Sequence, residues 1–412
     1  MYKTVSTERE KRRNLSDCTR KEKIIMEFMG YVRPDGKVGA RNLVGIIPSV
    51  TCANDVASAI AHQVQGTVTF PHHQGCCQLP PDLDRVTETL ISLGCSPNLG
   101  AVLIVSLGCE GTDHQRMYEE IKKTGKHVEI IHIQELGGVS KAIQAGTDIA
   151  RQMVLEISGL QREPVDVSRI VMSIKCGASD TTSGIASNCV IGYVADKLVD
   201  LGATVIFGET TEFIGGEHLL AKRAVTKEVG DKIFEIVERM EARAKSLGCD
   251  MRKGQPTPGN IEGGLASIEE KSLGAIMKSG SRPIQGVMEY PEMVTDHKGL
   301  WIKDTPGREP EILTGMAVTG AQCMMFSTGR GAPQGFPSMP VIKICGNPNT
   351  YERMEQDMDL NAGLILTGEK TIEQVGEEAF EKLLKTLSGE MTKNEAIQYF
   401  TSLDIHCLGP VI

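Results

Sequence analysis

The chain has 412 residues, 40% of them hydrophobic and 24% charged, and a formal net charge of −9 at pH 7. These values belong to a globular chain long enough for two or three compact units, and they exclude a disordered polymer. An acidic balance without a Lys/Arg stripe excludes the footprint of a nucleic-acid binder, and no apolar run approaches the ~20 residues of a membrane span, so neither nucleic acid nor membrane is an expected partner.

In chain order, Met1 to Lys23 is charged throughout and has no apolar core or small-residue cleavage site, so it reads as a tail rather than a secretory signal. Twelve cysteines without such a leader read as reduced thiols, and the expected compartment is the cytoplasm. A strand and helix phrase then recurs. NLVGIIPSV (42–50) leads into NDVASAIAHQV, and GAVLIVSLGCEG (100–111) into DHQRMYEEIKKTG. SRIVMSIKCGASD (168–180) leads into SNCVIGYVADKLVDLG, and ATVIFGETTEF, AQCMMFSTGRG and PVIKICGNPN carry the pattern onward. The predicted fold is α/β: layered, largely parallel sheets built from repeated strand and helix units in two subdomains. The expected division is a tail over 1–28, a first subdomain over 29–160 and a second over 161–412 that carries much of the crevice. SGLQREPVDVS marks the break. The polar segment Asp250 to Gly264 is either a linker or a functional loop.

Several predicted strands end on polar or sulfur-bearing residues: Cys52 after the first, Cys109 and Glu110, Lys175 and Cys176, Glu209 and Glu212, Cys345 and Asn347. Ligands of open α/β sheets bind outside the carboxyl ends of the strands, so these ends are expected to share a crevice. A single cysteine there is usually a small buried hydrophobe; the repetition over several strands argues for a site. KCGASDTTSGIASN (175–188) sets hydroxyls and an aspartate before a helix, where backbone amides are expected to hold a carboxylate or phosphate; plain capping by Ser187 or Asn188 is the simpler alternative. In GETTEFIGGEH, Glu209 and Glu212 suit a hard cation or acid–base work, whereas Glu217 and His218 read as the first turn of a helix. FPHHQGCCQLP (70–80) lacks the second pair of a closed zinc site, so its donors would have to join ligands from other loops.

Together, GYVRPDGKVGARNLVGIIPSV, HHQGCCQ, VSLGCEG, KCGASDTTSGIASN, GETTEFIGGEH, PTPGNIEGGLASIEEKSLGAI, STGRGAPQGFPSMPVIKICGN and GEKTIEQVGEE resemble the altronate and galactarate dehydratase family over about Gly30 to Thr386. The sulfolactate sulfo-lyase large subunit shares the framework. The resemblance implies a hydro-lyase that removes the C2 proton and C3 hydroxyl of a sugar acid, altronate giving 2-keto-3-deoxygluconate. Galactarate, or sulfite loss from sulfolactate, are the alternatives, and Cys77 and Cys109 favour the dehydratase side. A scaffold for a small catalytic partner is the non-enzyme alternative. Fe(II), with Mn(II) as substitute, is implied, its ligands drawn from His73, Cys77, Cys109, Cys176, Glu209 and Glu212. Cys77, Cys109 and Cys176 would equally suit an iron–sulfur cluster, and the residues leave the two open. Ser179, Asp180, Ser183 and Asn188 are implied to bind substrate, with His73 as first and Lys175 as second candidate base, each if burial leaves it neutral. His72 and Cys76 are expected as packing. The charged tail stands where altronate dehydratases carry an SAF-type domain, so a separate small SAF-domain subunit is an expected partner, and a homo-oligomer is expected.

Overall fold

A computed structural model describes residues 26–400 and 403–410, so the expected tail over 1–28 lies almost wholly outside the described residues. The strands in chain order are β1 (Glu27–Val32), β2 (Val38–Gly39), β3 (Leu43–Pro48), β4 (Thr67–Thr69), β5 (Leu99–Ser106), β6 (His127–His132) and β7 (Glu163–Asp166). They continue as β8 (Val171–Cys176), β9 (Thr204–Phe207), β10 (Ile284–Met288), β11 (Gly299–Lys303), β12 (Cys323–Thr328), β13 (Val341–Cys345) and β14 (Leu360–Asn361).

The layered parallel sheets expected from the repeated phrase are present. One has four strands in the order β4-β3-β5-β6, the other seven in the order β10-β11-β9-β8-β12-β13-β14, and every pairing within them is parallel. A small antiparallel sheet, β2-β1-β7, accompanies them. Near-continuous apolar runs such as LVGIIP and CMMFST suit strands covered on both faces. In β3, Ile46 packs toward the helices Asn54–Gln63 and Val139–Ile157, and Ile47 toward Pro80–Gly94 and His114–Lys122. Met324 and Phe326 of β12 share the second of these cores, so one apolar layer joins the two large sheets. Each such fully buried side chain contributes roughly 1.5–3 kcal/mol over an exposed one. Phe70, just after β4, packs against Phe336, in the connection between β12 and β13, at a ring separation of 6.3 Å, a further contact between the parts of the chain that carry the two large sheets.

Segment Asp250 to Gly264 is not a bare linker. It forms the short helices Met251–Gly254 and Pro258–Glu262, the second started by a reciprocal Thr257 and Asn260 cap. The Asn260 amide donates to the Ser179 carbonyl at 2.8 Å, which seats the segment on the loop after β8.

Candidate active site

The carboxyl ends of β8 and β9 lie side by side because the strands pair in parallel, with Ile174 opposite Phe207. β8 ends on Lys175 and Cys176. Beyond β9 the chain turns through Glu209, a non-glycine residue at φ 71. Such a conformation is costly and recurs where surrounding structure fixes a functional side chain. Here the Glu209 amide donates to Thr305 Oγ1 at 2.8 Å, and its carboxylate accepts from the Cys176 amide at 2.9 Å. The following turn, Thr210–Glu212, brings Glu212 Oε2 within 2.9 Å of Cys176 Sγ, whose thiol donates to it.

Cys176, Glu209 and Glu212 are all buried, and their donor atoms lie within 4.8 Å of one another. Lys278, 0% exposed, sits among them and donates to Glu209 at 2.5 Å, to Glu212 at 2.9 Å and to Cys176 Sγ at 2.9 Å. The three donors thus form a cage already shaped around a positive charge. One soft sulfur and two hard oxygens fit Fe(II) or Mn(II) by donor type, and such an ion would convert Cys176 to its thiolate and take the place of the ammonium. Lys278 was not legible in the sequence: it arrives from the end of the helix Ile268–Ile276, not from a strand end.

The surrounding charges nearly balance. Burial alone would raise the Glu212 carboxyl, but Lys278 and Lys271 outweigh it and bring it down to about 2. Burial, reinforced by Glu212, pushes the Cys176 thiol well up. The neutral form expected of Lys175 is not what the structure favours. Burial pulls its ammonium down, yet Glu209 Oε1 at 3.4 Å and Glu309 Oε2 at 3.6 Å more than reverse this, and Lys175 is held as a cation. Beside it, burial does depress Lys343, whose Nζ has no hydrogen-bond partner and lies 3.4 Å from the Phe326 ring centre.

Ser179, Asp180, Ser183 and Asn188 line one cavity of about 530 Å³ together with Lys271. Lys271 Nζ is 3.8 Å from Glu212 Oε1, so the cavity borders the buried cage. The anion expected at the helix start is supplied internally: Asp180 Oδ1 accepts from Thr182 Oγ1 at 2.6 Å and from the Ser183 amide at 3.1 Å. Its other oxygen accepts from Asn347 at 3.1 Å, and a Cβ at Gly329 would fall 1.9 Å from Asp180 Oδ1, which explains the glycine there. Asp180 therefore shapes the loop, while the buried Asn188 keeps an unpartnered Oδ1. On the far side of Asp180 a second cavity of about 550 Å³ is lined by Arg330, Asn347 and Arg353; neither arginine was singled out in the sequence.

The structure separates the expected metal ligands into two groups. His73, Cys77 and Cys109 are exposed at the carboxyl end of the four-stranded sheet, away from the sealed Cys176 thiol. His72 is packing, as expected: it is 0% exposed, its Nε2 meets the Pro48 carbonyl at 2.9 Å and its Nδ1 accepts from the Gln74 amide at 3.1 Å. Cys76 is not packing; it is exposed, with its sulfur 3.7 Å from that of Cys77.

A family model described as D-galactarate/altronate dehydratase, C-terminal, matches residues 167–406, and one described as the second domain of D-galactarate dehydratase/altronate hydrolase matches residues 30–158. The (2R)-sulfolactate sulfo-lyase subunit beta of Chromohalobacter salexigens is 40% identical, covering 90% of this chain and 95% of its own. Galactarate dehydratase (L-threo-forming) of Escherichia coli is 34% identical over 88% of this chain and 73% of its own. Altronate dehydratase of Bacillus subtilis is 30% identical over 89% and 75%.

Proposed function

The chain belongs to the galactarate and altronate dehydratase family, and from that premise we propose that it is a hydro-lyase that removes water from a sugar acid, with altronate as substrate and 2-keto-3-deoxygluconate as product. The observation that carries this reading is the polar cavity beside the buried cage. Ser179, Ser183, Asn188 and Lys271 offer hydroxyl, amide and ammonium groups to a polyhydroxylated acid, and about 530 Å³ accommodates a six-carbon chain.

In this reading Lys271 anchors the substrate carboxylate, and the unpartnered Asn188 Oδ1 accepts from a substrate hydroxyl. Cys176, Glu209 and Glu212 would hold Fe(II) or Mn(II), which supplies Lewis acidity toward the carboxylate and the departing hydroxide. Lys175 stays protonated beneath them and stabilises negative charge developing at C2, a preorganised electrostatic role in place of the base role expected of it. His73, the first candidate base, is exposed at the end of the other sheet and is not among the residues lining this cavity, so no step is assigned to it here. A small partner subunit remains part of the proposal, supported by the designation of the 40% identical relative as a subunit beta.

That same relative favours a second reading, carbon–sulfur cleavage of sulfolactate with sulfite as leaving group, because it matches over 95% of its length. Incubation of the Fe(II)-loaded chain, with and without a small SAF-domain subunit, with altronate, galactarate and sulfolactate separates the two. Formation of a 2-keto-3-deoxy acid supports dehydration, sulfite release supports the second reading, and turnover of none of the three removes both.

A further inference from the structure

We propose that Cys52, Cys77 and Cys109 form the three-cysteine ligand set of an iron–sulfur cluster at the carboxyl end of the four-stranded sheet, a centre separate from the Cys176 cage. Free cysteine is among the most buried residue types, so its exposed occurrences call for an explanation. Among the described residues five cysteines are exposed, and four of them, Cys52, Cys76, Cys77 and Cys109, lie on three loops at this one pole. The remaining exposed one, Cys249, lies elsewhere, beyond the helix Lys227–Ser246.

The three loops are tied together by their backbones. Cys52 follows β3 in the turn Thr51–Ala53, and the Thr51 amide donates to the Gln74 carbonyl at 3.0 Å. The loop bearing Cys77 lies directly on the end of β3: a Cβ at Gly75 would meet the Ser49 carbonyl at 2.7 Å, and Gly75 takes φ 107. The Cys109 loop closes onto the same place, with the Gly111 amide donating to the Gly75 carbonyl at 2.8 Å and Glu110 Oε1 accepting from Ser49 Oγ at 2.5 Å. Cys77 is itself held at φ 51, a conformation a cysteine adopts only when its surroundings impose it. Gln134 donates to Cys109 Sγ at 3.4 Å, the kind of hydrogen bond to sulfur that tunes thiolate-bound iron.

Spacing selects the occupant. A single tetrahedral ion with metal–sulfur bonds of about 2.3 Å needs its sulfurs roughly 4 Å apart. Among the described residues only the Cys176, Glu209 and Glu212 group gathers its donor atoms within 4.8 Å, so Cys52, Cys77 and Cys109 stand too far apart to close on one ion. A polynuclear cluster takes thiolates set farther apart than a single ion does, and three thiolates would supply all but one of the four protein ligands of a four-iron cluster. Structural zinc sites are also built from paired C-x-x-C turns, and these three cysteines arrive singly from separate loops.

The test uses the full chain, reconstituted anaerobically with ferrous iron and sulfide and freed of excess reagent. Acid-labile sulfide is expected together with iron, the iron exceeding it by about one per chain when the Cys176 cage is also loaded, with a sulfide-to-iron absorption band in the visible. Cys52→Ser, Cys77→Ser and Cys109→Ser should each lose most of both, whereas Cys249→Ser retains both and Cys176→Ser keeps the sulfide and the absorption band, losing only the iron of its own cage. In the unaltered chain, iodoacetamide labelling read by mass spectrometry should spare Cys52, Cys77 and Cys109 after reconstitution and still label Cys249, a readout that does not depend on how the variants fold. Iron or zinc bound without sulfide, retention in Cys52→Ser, or unchanged labelling overturns the proposal. None of these readings uses turnover, so failure of the dehydratase assignment would leave this result interpretable.

Discussion

Lys278 Nζ lies 2.9 Å from Cys176 Sγ and is shared with the carboxylates of Glu209 and Glu212 in a pocket closed to solvent. The ammonium neutralises two carboxylates that would otherwise be buried without a counter-charge. Removing one partner of such an arrangement costs about 3–5 kcal/mol, because the remaining charges keep their desolvation penalty. Lys278→Met should therefore lower the unfolding free energy by that order, read as a drop in the denaturant midpoint. Fe(II) or Mn(II) should then stabilise the variant more than the parent, since the ion no longer competes with an ammonium; saturation at a hundred times Kd adds about 2.7 kcal/mol. Equal metal responses in urea melts of the two proteins would show that the cage does not receive the ion.

Lys271 offers a cleaner test of the cavity, because it is 15% exposed and holds only Gln255, at 3.0 Å, and the more distant Glu212. Lys271→Ala should cost some stability, because the buried Glu212 carboxylate loses one of the two cations that hold it ionised, so the variant is assayed well below its own unfolding midpoint. If Lys271 binds the substrate carboxylate equally in ground and transition states, KM rises about tenfold or more with kcat little changed. A normal KM would remove Lys271 from the binding site.

Much of the framework was legible because both large sheets repeat one phrase, an apolar β-branched strand followed by an amphipathic helix. Strand ends such as Lys175–Cys176 could be read as site candidates because parallel topology leaves them on one edge. Lys278 escaped that reasoning, since a residue delivered from a helix end carries no local mark of its destination. The charge of Lys175 escaped for a related reason: burial predicts a neutral amine, and only the distances to Glu209 and Glu309 reverse the sign. Asp180 was expected to meet a ligand, but its partners Thr182 and Ser183 are neighbours in sequence and Asn347 comes from beyond β13, so half of its role was local and half was not.

Asn260 couples the segment around residues 250–264 to the cavity wall through its 2.8 Å bond to the Ser179 carbonyl and its reciprocal cap with Thr257. Asn260→Ala removes the bond to Ser179 and the side-chain half of the cap, leaving a buried carbonyl without its donor, at a cost of about 1–3 kcal/mol. The loss should appear locally: amides around 250–264 exchange faster and proteases cut there, while the sheet amides keep their protection. Uniform loss of protection across the chain would mean that the contact supports the global fold instead of this covering segment.

Lys126 should contribute stability that rises with pH between about 7 and 10.5. Its Nζ is buried and donates to the carbonyls of Ser96 at 2.6 Å and Gly94 at 3.1 Å, two bonds that a neutral amine can make, and burial depresses it from 10.5 to about 7. Below about 7 both the folded and unfolded chains carry the proton, and the folded state bears the full cost of burying it. Between about 7 and 10.5 the unfolded chain binds the proton and the folded chain does not, so unfolding becomes harder by at most about 1.4 kcal/mol per pH unit for this group. Lys303, also depressed to about 7 by burial, adds a contribution of the same sign. Urea melts of the parent and of Lys126→Met at pH 7, 8 and 9 isolate the Lys126 share: the variant should be more stable at pH 7 and show a shallower rise. An identical slope in both proteins would mean that Lys126 keeps its proton in the fold.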